Sequence, residues 1–420
     1  MVIVIFLASP WLKSSIGVAK QQFKHPHQNR QTYCNRDLGN FIHESEYLGP
    51  YLLLQGEATT SIIINWVTLP NNAFHMEYRQ KNKHDWQHVS PSIGLLGSTE
   101  NLIHRALINN LKPSLIYEFR IVNLKLEQSG GVKYLFQTPP ENPTESMTFV
   151  AGGDMMERRD LMAATTDLIA LTSPAFALLG GDIAYDNGKF VNCWFDWLDI
   201  WTSKAITPQG LSIPIVIAIG NHEVENGYGQ TPEQATNFYS LFLPNNKSNY
   251  VVDFSNYMSI YILDSNHSQR VEAQNNWLES IMHLRGDIPH SFAAYHVPAY
   301  GILKDGFANK NSTNVRKNWV PIFEKMGLNA AIEHHHHIYK RSKLIFKDSI
   351  NAVKGILYIG DGGWGVSPRP LPKDMTPFWY IARAERKRHF LKITINENMR
   401  TYEAIDSNGT IFDRYIDVRQ

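Results

Sequence analysis

The sequence predicts two domains, an all-β sandwich followed by an α/β domain, from three observations: a run of short β-type segments, a proline-rich break, and a regular strand–helix alternation. From Gly49 onward the segments YLLLQ, SIIINWVT, FHMEYRQ, LIHRALI and LIYEFRIVNL are short and rich in β-branched and aromatic residues, and no helical period interrupts them, as a sandwich requires. The stretch TPPENPTES, starting at Thr138, carries three prolines that disfavour both helix and ladder, so it reads as a linker. Beyond it the apolar runs MTFVAGG, AFALLGG, IPIVIAIG and HSFAAYH alternate with amphipathic stretches such as RRDLMAATTDLIALT and EAQNNWLESIMHL, which is the alternation of an α/β domain with buried strands. The expected organisation is a signal peptide over 1–22, an arm over 23–47, a β-sandwich over 48–138, a linker over 139–146 and an α/β domain over 147–420.

Length and composition agree with this division. A chain of 420 residues with 43% hydrophobic and 19% charged residues has material for more than one packed core. A net charge of +1, with both signs interspersed, gives no basis for a nucleic-acid partner or an anionic membrane surface. The opening run MVIVIFLASPWL is too short to span a bilayer and suits the apolar region of a signal peptide, so no transmembrane segment is expected and an extracytoplasmic location is. The following polar, His-rich residues lack periodicity and are expected to pack weakly as an arm. Cys34 and Cys193 are the two cysteines, enough for one bridge and too few for a disulfide-built scaffold. The sequence leaves open whether they pair. The aromatic-rich FVNCWFDWLDIW reads as a core helix rather than a substrate mouth.

The chemistry-bearing residues follow the strands, where ligands gather in α/β sheets. In order they are GGDMM with Asp154, GGDIAY with Asp182 and Tyr185, GNHE with Asn221 and His222, AYH with His296, and HHHH from His334 to His337. Each alone is more often a cap or a turn former. Together they supply carboxylate, phenolate, amide and imidazole, a mixture suited to two hard or borderline cations held close.

The order GD…GDxxY…GNHE…H…HxH resembles the purple acid phosphatase branch of the calcineurin-like metallophosphoesterases, over roughly Thr148 to Tyr339. The segments GPYLLLQ, INWVT, LKPSLIYEFRI and FQTPP resemble the fibronectin-III-type sandwich that precedes the catalytic domain in those enzymes. The resemblance implies a fibronectin-III-like sandwich, a four-layer (αββα) catalytic domain, and hydrolysis of phosphate esters by a metal-activated hydroxide. It implies Asp154, Tyr185 and His337 on one metal, Asn221, His296 and His335 on the other, and Asp182 bridging them. The ions it implies are Fe(III) with Fe(II), Zn or Mn opposite. His222 would protonate the departing alkoxide, and Glu223 would orient His222 or cap the local helix. A colourless Mn or Zn phosphodiesterase on the same scaffold, and a cell-surface binding protein with a vestigial catalytic domain, are the competing readings. The residues do not choose a substrate or an oligomeric state.

Two positions depart from the family pattern. His334 stands where the family has glycine before its His-x-His, and Met156 stands where it has glycine two positions after the first Asp. If the His run extends a strand, alternation places His335 and His337 on one side and His334 and His336 on the other. The LDS at Leu263–Ser265 resembles a structural strand end of that family, and the loop from Asp361 to Gly365 is expected to approach the cleft from the side.

Overall fold

The computed structural model describes residues 34–418 except 35, 43–45, 71–72, 126–130, 143, 145, 244, 304–307 and 361. The expected signal peptide (1–22), most of the arm (23–47), two linker positions (143 and 145) and Asp361 therefore lie outside the described residues. No helix among the described residues is long and apolar enough to cross a membrane.

Two large sheets organise the chain. One has ten strands in the order Ile411–Asp417, Met399–Asp406, His389–Asn396, Met147–Gly152, Ala177–Leu179, Ile215–Ile217, Leu48–Leu53, Ile62–Thr68, Leu102–Ile108, Ser92–Leu95. Its centre, from Met147–Gly152 through Ile215–Ile217, is parallel. The other has eight strands, with a parallel core of Met258–Ile262, His290–Ala294, Ala330–Glu333 and Leu357–Gly360.

Strand alternation explains how these sheets stack. Val150, Ala177, Leu179, Ile215 and Ile217 point to a core shared with helices α1 (Arg159–Leu171), α2 (Val191–Lys204) and α3 (Thr236–Phe242). Their neighbours Phe149, Ala151, Leu178 and Val216 point the other way, into a core shared with Phe292, Ala294, Ala330, Ile332, Leu357 and Ile359 of the eight-stranded sheet. The alternate residues Ala293, Ala331 and Tyr358 in turn meet α4 (Asn275–His283), α5 (Lys310–Asn318) and α6 (Val320–Met326) through Leu278, Met282, Val315, Trp319 and Phe323. Strands buried on both faces read as continuous apolar runs for this reason. The Trp-rich segment is core as expected: Trp194, Trp197 and Trp201 of α2 are fully buried.

The N-terminal β segments form the expected strands, with a four-stranded sheet (Gln87–Val89, Phe74–Gln80, Ile116–Asn123, Lys133–Gln137) lying over the outer part of the ten-stranded sheet. Leu52, Ile64, Trp66, Ala106, Phe74, Met76, Phe119 and Phe136 fill the space between. The two regions are not separate sheets, however. Leu53 pairs with Ile215 in a parallel ladder, and Gly56–Glu57 adds to Tyr250–Phe254, so hydrogen bonds run across the expected boundary.

The described part of the arm packs firmly, contrary to expectation. Leu38 and Phe41 are buried in the core beside α2, and Cys34 is disulfide-bonded to Cys193 of α2. Two apolar side chains and a crosslink supply what the absent periodicity did not signal. The bridge closes a separation of 159 residues, and in the chain-entropy model constraining a loop of that size in the unfolded chain contributes about 5 kcal/mol. We expect Cys34→Ser to lower the thermal unfolding midpoint. Reductant should do the same to the wild type and nothing further to the variant, and equal midpoints for oxidised wild type and variant would show that the bridge does not stabilise the fold.

Candidate metal centre

The carboxyl ends of the two parallel sheets meet, and their loops bring the chemistry-bearing residues together. Asp154 follows Met147–Gly152, Asp182 and Tyr185 follow Ala177–Leu179, and Asn221 and His222 follow Ile215–Ile217. From the other sheet, His296 follows His290–Ala294, and His335 and His337 follow Ala330–Glu333. Asp154, Asp182, Tyr185, His335 and His337 all have left-handed backbones, with φ of 55°, 53°, 57°, 81° and 57°. Such conformations are uncommon for residues other than glycine and cluster where a surrounding structure over-determines them.

Asp182 lies at the centre. Its amide N–H donates to Glu223 Oε2 (2.7 Å) and its Oδ1 accepts from the His222 amide (2.7 Å). Its Oδ2 lies 3.1 Å from His296 Nε2 and 3.9 Å from His222 Nε2. His296 is fully buried, with Nδ1–H donating to the Gly180 carbonyl at 2.9 Å. Its Nε2 then faces Asp182 Oδ2, Asn221 Oδ1 and His335 Nδ1, each at 3.1 Å. One ring nitrogen carries at most one hydrogen, so three such partners cannot all be satisfied by hydrogen bonds. A cation between them can satisfy all three, and Asp182, His296 and His335 form a group with metal-ligand spacing.

The second cluster has the same character. His337 Nε2 lies 2.8 Å from Asp154 Oδ1, yet that buried oxygen has no hydrogen bond. Two donors so close without hydrogen-bond geometry are aimed at a common point rather than at each other. Asp154 Oδ2 accepts from the His335 amide at 3.0 Å, which ties the two clusters into one. The donor set therefore fits cation binding on an observation independent of any resemblance.

Charge agrees with geometry. Burial raises the Asp182 carboxyl, but His296 and His222 outweigh it and hold the group well below the usual carboxylate range. Burial lowers His296, but Asp182 outweighs it and raises the imidazole to about 9. Burial and the neighbouring His296 hold His335 well below the ordinary imidazole value, so it remains a neutral donor.

Tyr185 packs its ring against His222, centroids 4.4 Å apart, in the loop that carries Asp182. His222 Nδ1 is 2.6 Å from Asn187 Oδ1, which leaves Nε2 facing the cluster. Asn187, not Glu223, thus orients His222. Glu223 instead caps the turn as the alternative expectation had it, accepting from the amides of Asp182 (2.7 Å), Ile183 (2.7 Å) and Gly220 (2.8 Å) while fully buried. Burial and the Asp182 and Asp186 carboxylates push its pKa up to about 8, against the pull of those donors.

The His run is a loop, not a strand extension, because Ala330–Glu333 ends before it. The separation of His335 and His337 from His334 and His336 survives through the two left-handed residues instead of through pleat alternation. His334 is buried with Nδ1 on the Tyr295 carbonyl at 3.1 Å. A Cβ at Gly180 or Gly153 would overlap its ring, so two glycines of the metal loops accommodate the bulk placed at the family's glycine position. Met156 is buried in the α1–α2 core that also contains Tyr185. Asp264 of the LDS segment is a cap, accepting from the amide of His267 and from Ser248 and Ser268, and Gly362 lies against Asp154 Oδ2.

Tyr228 was not anticipated. Its hydroxyl donates toward Asn221 Oδ1 (3.3 Å) and lies 3.3 Å from His335 Nε2. Its only sequence signal is a tyrosine between two glycines just after GNHE.

Residues 147–339 match the calcineurin-like phosphoesterase family. They form a calcineurin-like phosphoesterase domain. Among relatives of known sequence, the chain is 22% identical over 319 residues to purple acid phosphatase 15 of Arabidopsis thaliana, covering 66% of this chain and 57% of that protein. It is 22% identical over 321 residues to purple acid phosphatase 23 of the same plant, covering 69% and 68%. Among solved structures, purple acid phosphatase PPD1 from yellow lupin (Lupinus luteus) superposes with a TM-score of 0.74 at 17% identity, over 88% of this chain and 74% of that one. PhoD gives 0.64 at 11% identity, over 89% and 90%. These likenesses show that the phosphoesterase fold, with its β-rich N-terminal region, is shared.

Replacing Glu223 by Gln would set an amide N–H against backbone N–H groups at the loop bearing Asp182. An unsatisfied buried group of this kind costs about 1–3 kcal/mol, and urea unfolding should show a loss in that range. An unchanged midpoint would mean that the clamp contributes nothing to the loop.

Proposed function

We propose that this chain hydrolyses phosphate esters at a pair of metal ions, in the manner of the purple acid phosphatases. The convergence of Asp182 Oδ2, Asn221 Oδ1 and His335 Nδ1 on one nitrogen of His296 carries the reading. Asp154, Tyr185 and His337 would hold one ion, Asn221, His296 and His335 the other, and Asp182 would join them through its carboxylate. Phenolate and carboxylate suit Fe(III) on the first site, with Fe(II), Zn or Mn on the second. When bound, such a pair lowers the pKa of water and neutralises charge on the phosphoryl oxygens.

The protein's own groups do the rest. Asn187 Oδ1 holds the Nδ1–H of His222, so the ring presents Nε2 to the leaving-group oxygen and gives up its proton there. The packed Tyr185 ring restricts that imidazole from its face. Tyr228 steadies the Asn221 carboxamide by donating to its Oδ1. Arg369, whose amide bonds the His337 carbonyl at 3.2 Å, places a cation whose charge acts on His335 and Tyr228, in keeping with an anionic substrate. The order of strands and cores supports a four-layer catalytic domain, and the paired β layers before it support a fibronectin-III-like sandwich. The Cys34–Cys193 bridge supports an oxidising, extracytoplasmic setting.

Asp182→Ala should remove both metals and the hydrolysis of an aryl phosphate together, read by elemental analysis and by product release. Retention of two metals and full activity would refute the bridge. Tyr185→Phe should abolish a visible phenolate-to-iron band while leaving some hydrolysis, and an unaltered spectrum would remove Tyr185 from the ligand set. His222→Ala should keep both metals and lower kcat by about 10²–10⁴-fold, whereas loss of metal instead of rate would recast it as a structural residue.

A further inference from the structure

A second cluster of metal-ligand type lies on the N-terminal four-stranded sheet, far in the chain from the catalytic loops. His75 and Glu77 stand on the strand Phe74–Gln80, two residues apart and so on the same face. His88, on Gln87–Val89, is directly opposite Glu77 in the antiparallel ladder, the position at which side chains meet most closely. His75 Nε2 lies 3.2 Å and His88 Nδ1 3.3 Å from the same oxygen, Glu77 Oε1, and all three atoms lie within 4.8 Å of one another.

We propose that His75, Glu77 and His88 bind a Zn(II) ion. Tetrahedral ligands at Zn–N and Zn–O distances of about 2.0–2.1 Å are separated from one another by about 3.3–3.4 Å, which is the spacing found here between each imidazole nitrogen and the carboxylate oxygen. Two imidazoles and a carboxylate are borderline donors suited to this ion. The carboxylate is held for the purpose: Arg120, opposite Glu77 on the other neighbouring strand, donates its Nε–H to Oε2 at 2.6 Å, which leaves Oε1 for the ion. The Arg120 guanidinium is itself seated over the Trp86 ring at 4.2–4.5 Å together with that of Arg79. Glu77 is buried while the His88 side chain is 67% exposed, so the fourth coordination position opens to water. Bound zinc would join Gln87–Val89, a short edge strand, to its neighbour.

The full-length protein is dialysed to equilibrium against Zn(II) and the metal per chain is measured. The wild type should hold one equivalent more than the double variant His75→Ala/His88→Ala, and Zn(II) should raise the unfolding midpoint further in the wild type than in the variant. Hydrolysis of an aryl phosphate should be the same in both, since neither histidine belongs to the catalytic loops, and metal-free midpoints within a degree or two of each other would show that the variant folds. His84→Ala, which removes an exposed histidine of the adjoining turn, should retain the extra equivalent. Equal stoichiometry in wild type and double variant, or the same loss in His84→Ala, would overturn the proposal.

Discussion

The Asp182 carboxylate is the contact on which the site depends, because it joins groups carried by two different sheets. One oxygen accepts from the His222 amide, on the ten-stranded sheet's side, and the other meets His296 from the eight-stranded sheet. Like donors and acceptors brought together this closely in a buried place would be unstable without a countercharge. The raised imidazole of His296 and the lowered carboxyl of Asp182 are the protein's own version of that countercharge. A proton on His296 offsets the Asp182 charge, and a bound cation would replace it with a charge that all the donors could share.

Holding Asp182 in place requires backbone that most residues avoid. Left-handed φ at five of the expected ligands costs free energy at each, and the surrounding contacts compensate. Glu223 takes three amides of two adjoining loops, Asp154 binds back to the Gly181 carbonyl, and Met155 and Met162 pack beneath. Gly153 and Gly180 serve the same end by leaving room for His334. The departure at His334 thus concerns packing behind the loops, since His335 and His337 still reach the cluster.

Much of this could be read from the sequence, for a definite reason. Carboxylate, amide and imidazole groups at the ends of apolar strands are rare as a set, so Asp154, Asp182, Asn221, His296, His335 and His337 could be marked as candidate donors by type and position, and the fold brings them close to one another. What could not be read depends on contacts between distant residues. Asn187 reaches His222 across 35 positions, and no local pattern marks an asparagine that accepts from an imidazole. Glu223 sits beside His222 in sequence but turns to the amides behind it, a choice made by the turn's geometry. Alternation predicts that His335 and His337 share a side, whereas in the loop that follows Ala330–Glu333 their separation from His334 and His336 comes from two left-handed residues. The proline-rich stretch precedes the strand Met147–Gly152, while the ladder from Leu53 to Ile215, which makes the sheets continuous, left no periodicity to detect.

That continuity bears on how the centre is built. Leu48–Leu53 is the flanking partner of Ile215–Ile217, the strand that runs directly into Asn221, His222 and Glu223. Without it the last parallel strand would be an edge, with unpaired backbone groups and one side open. Tyr51 and Gln55, at the end of the same segment, donate to the carbonyls of Leu241 and Phe242 in α3, and Asn237 of that helix donates to Asp186 beside Tyr185. The N-terminal β region therefore braces two of the loops that carry the candidate donors, one through the sheet and one through α3. Its contribution to the site is positional, and it follows from the same rule that shapes the loops themselves: a donor is useful only where its backbone cannot move.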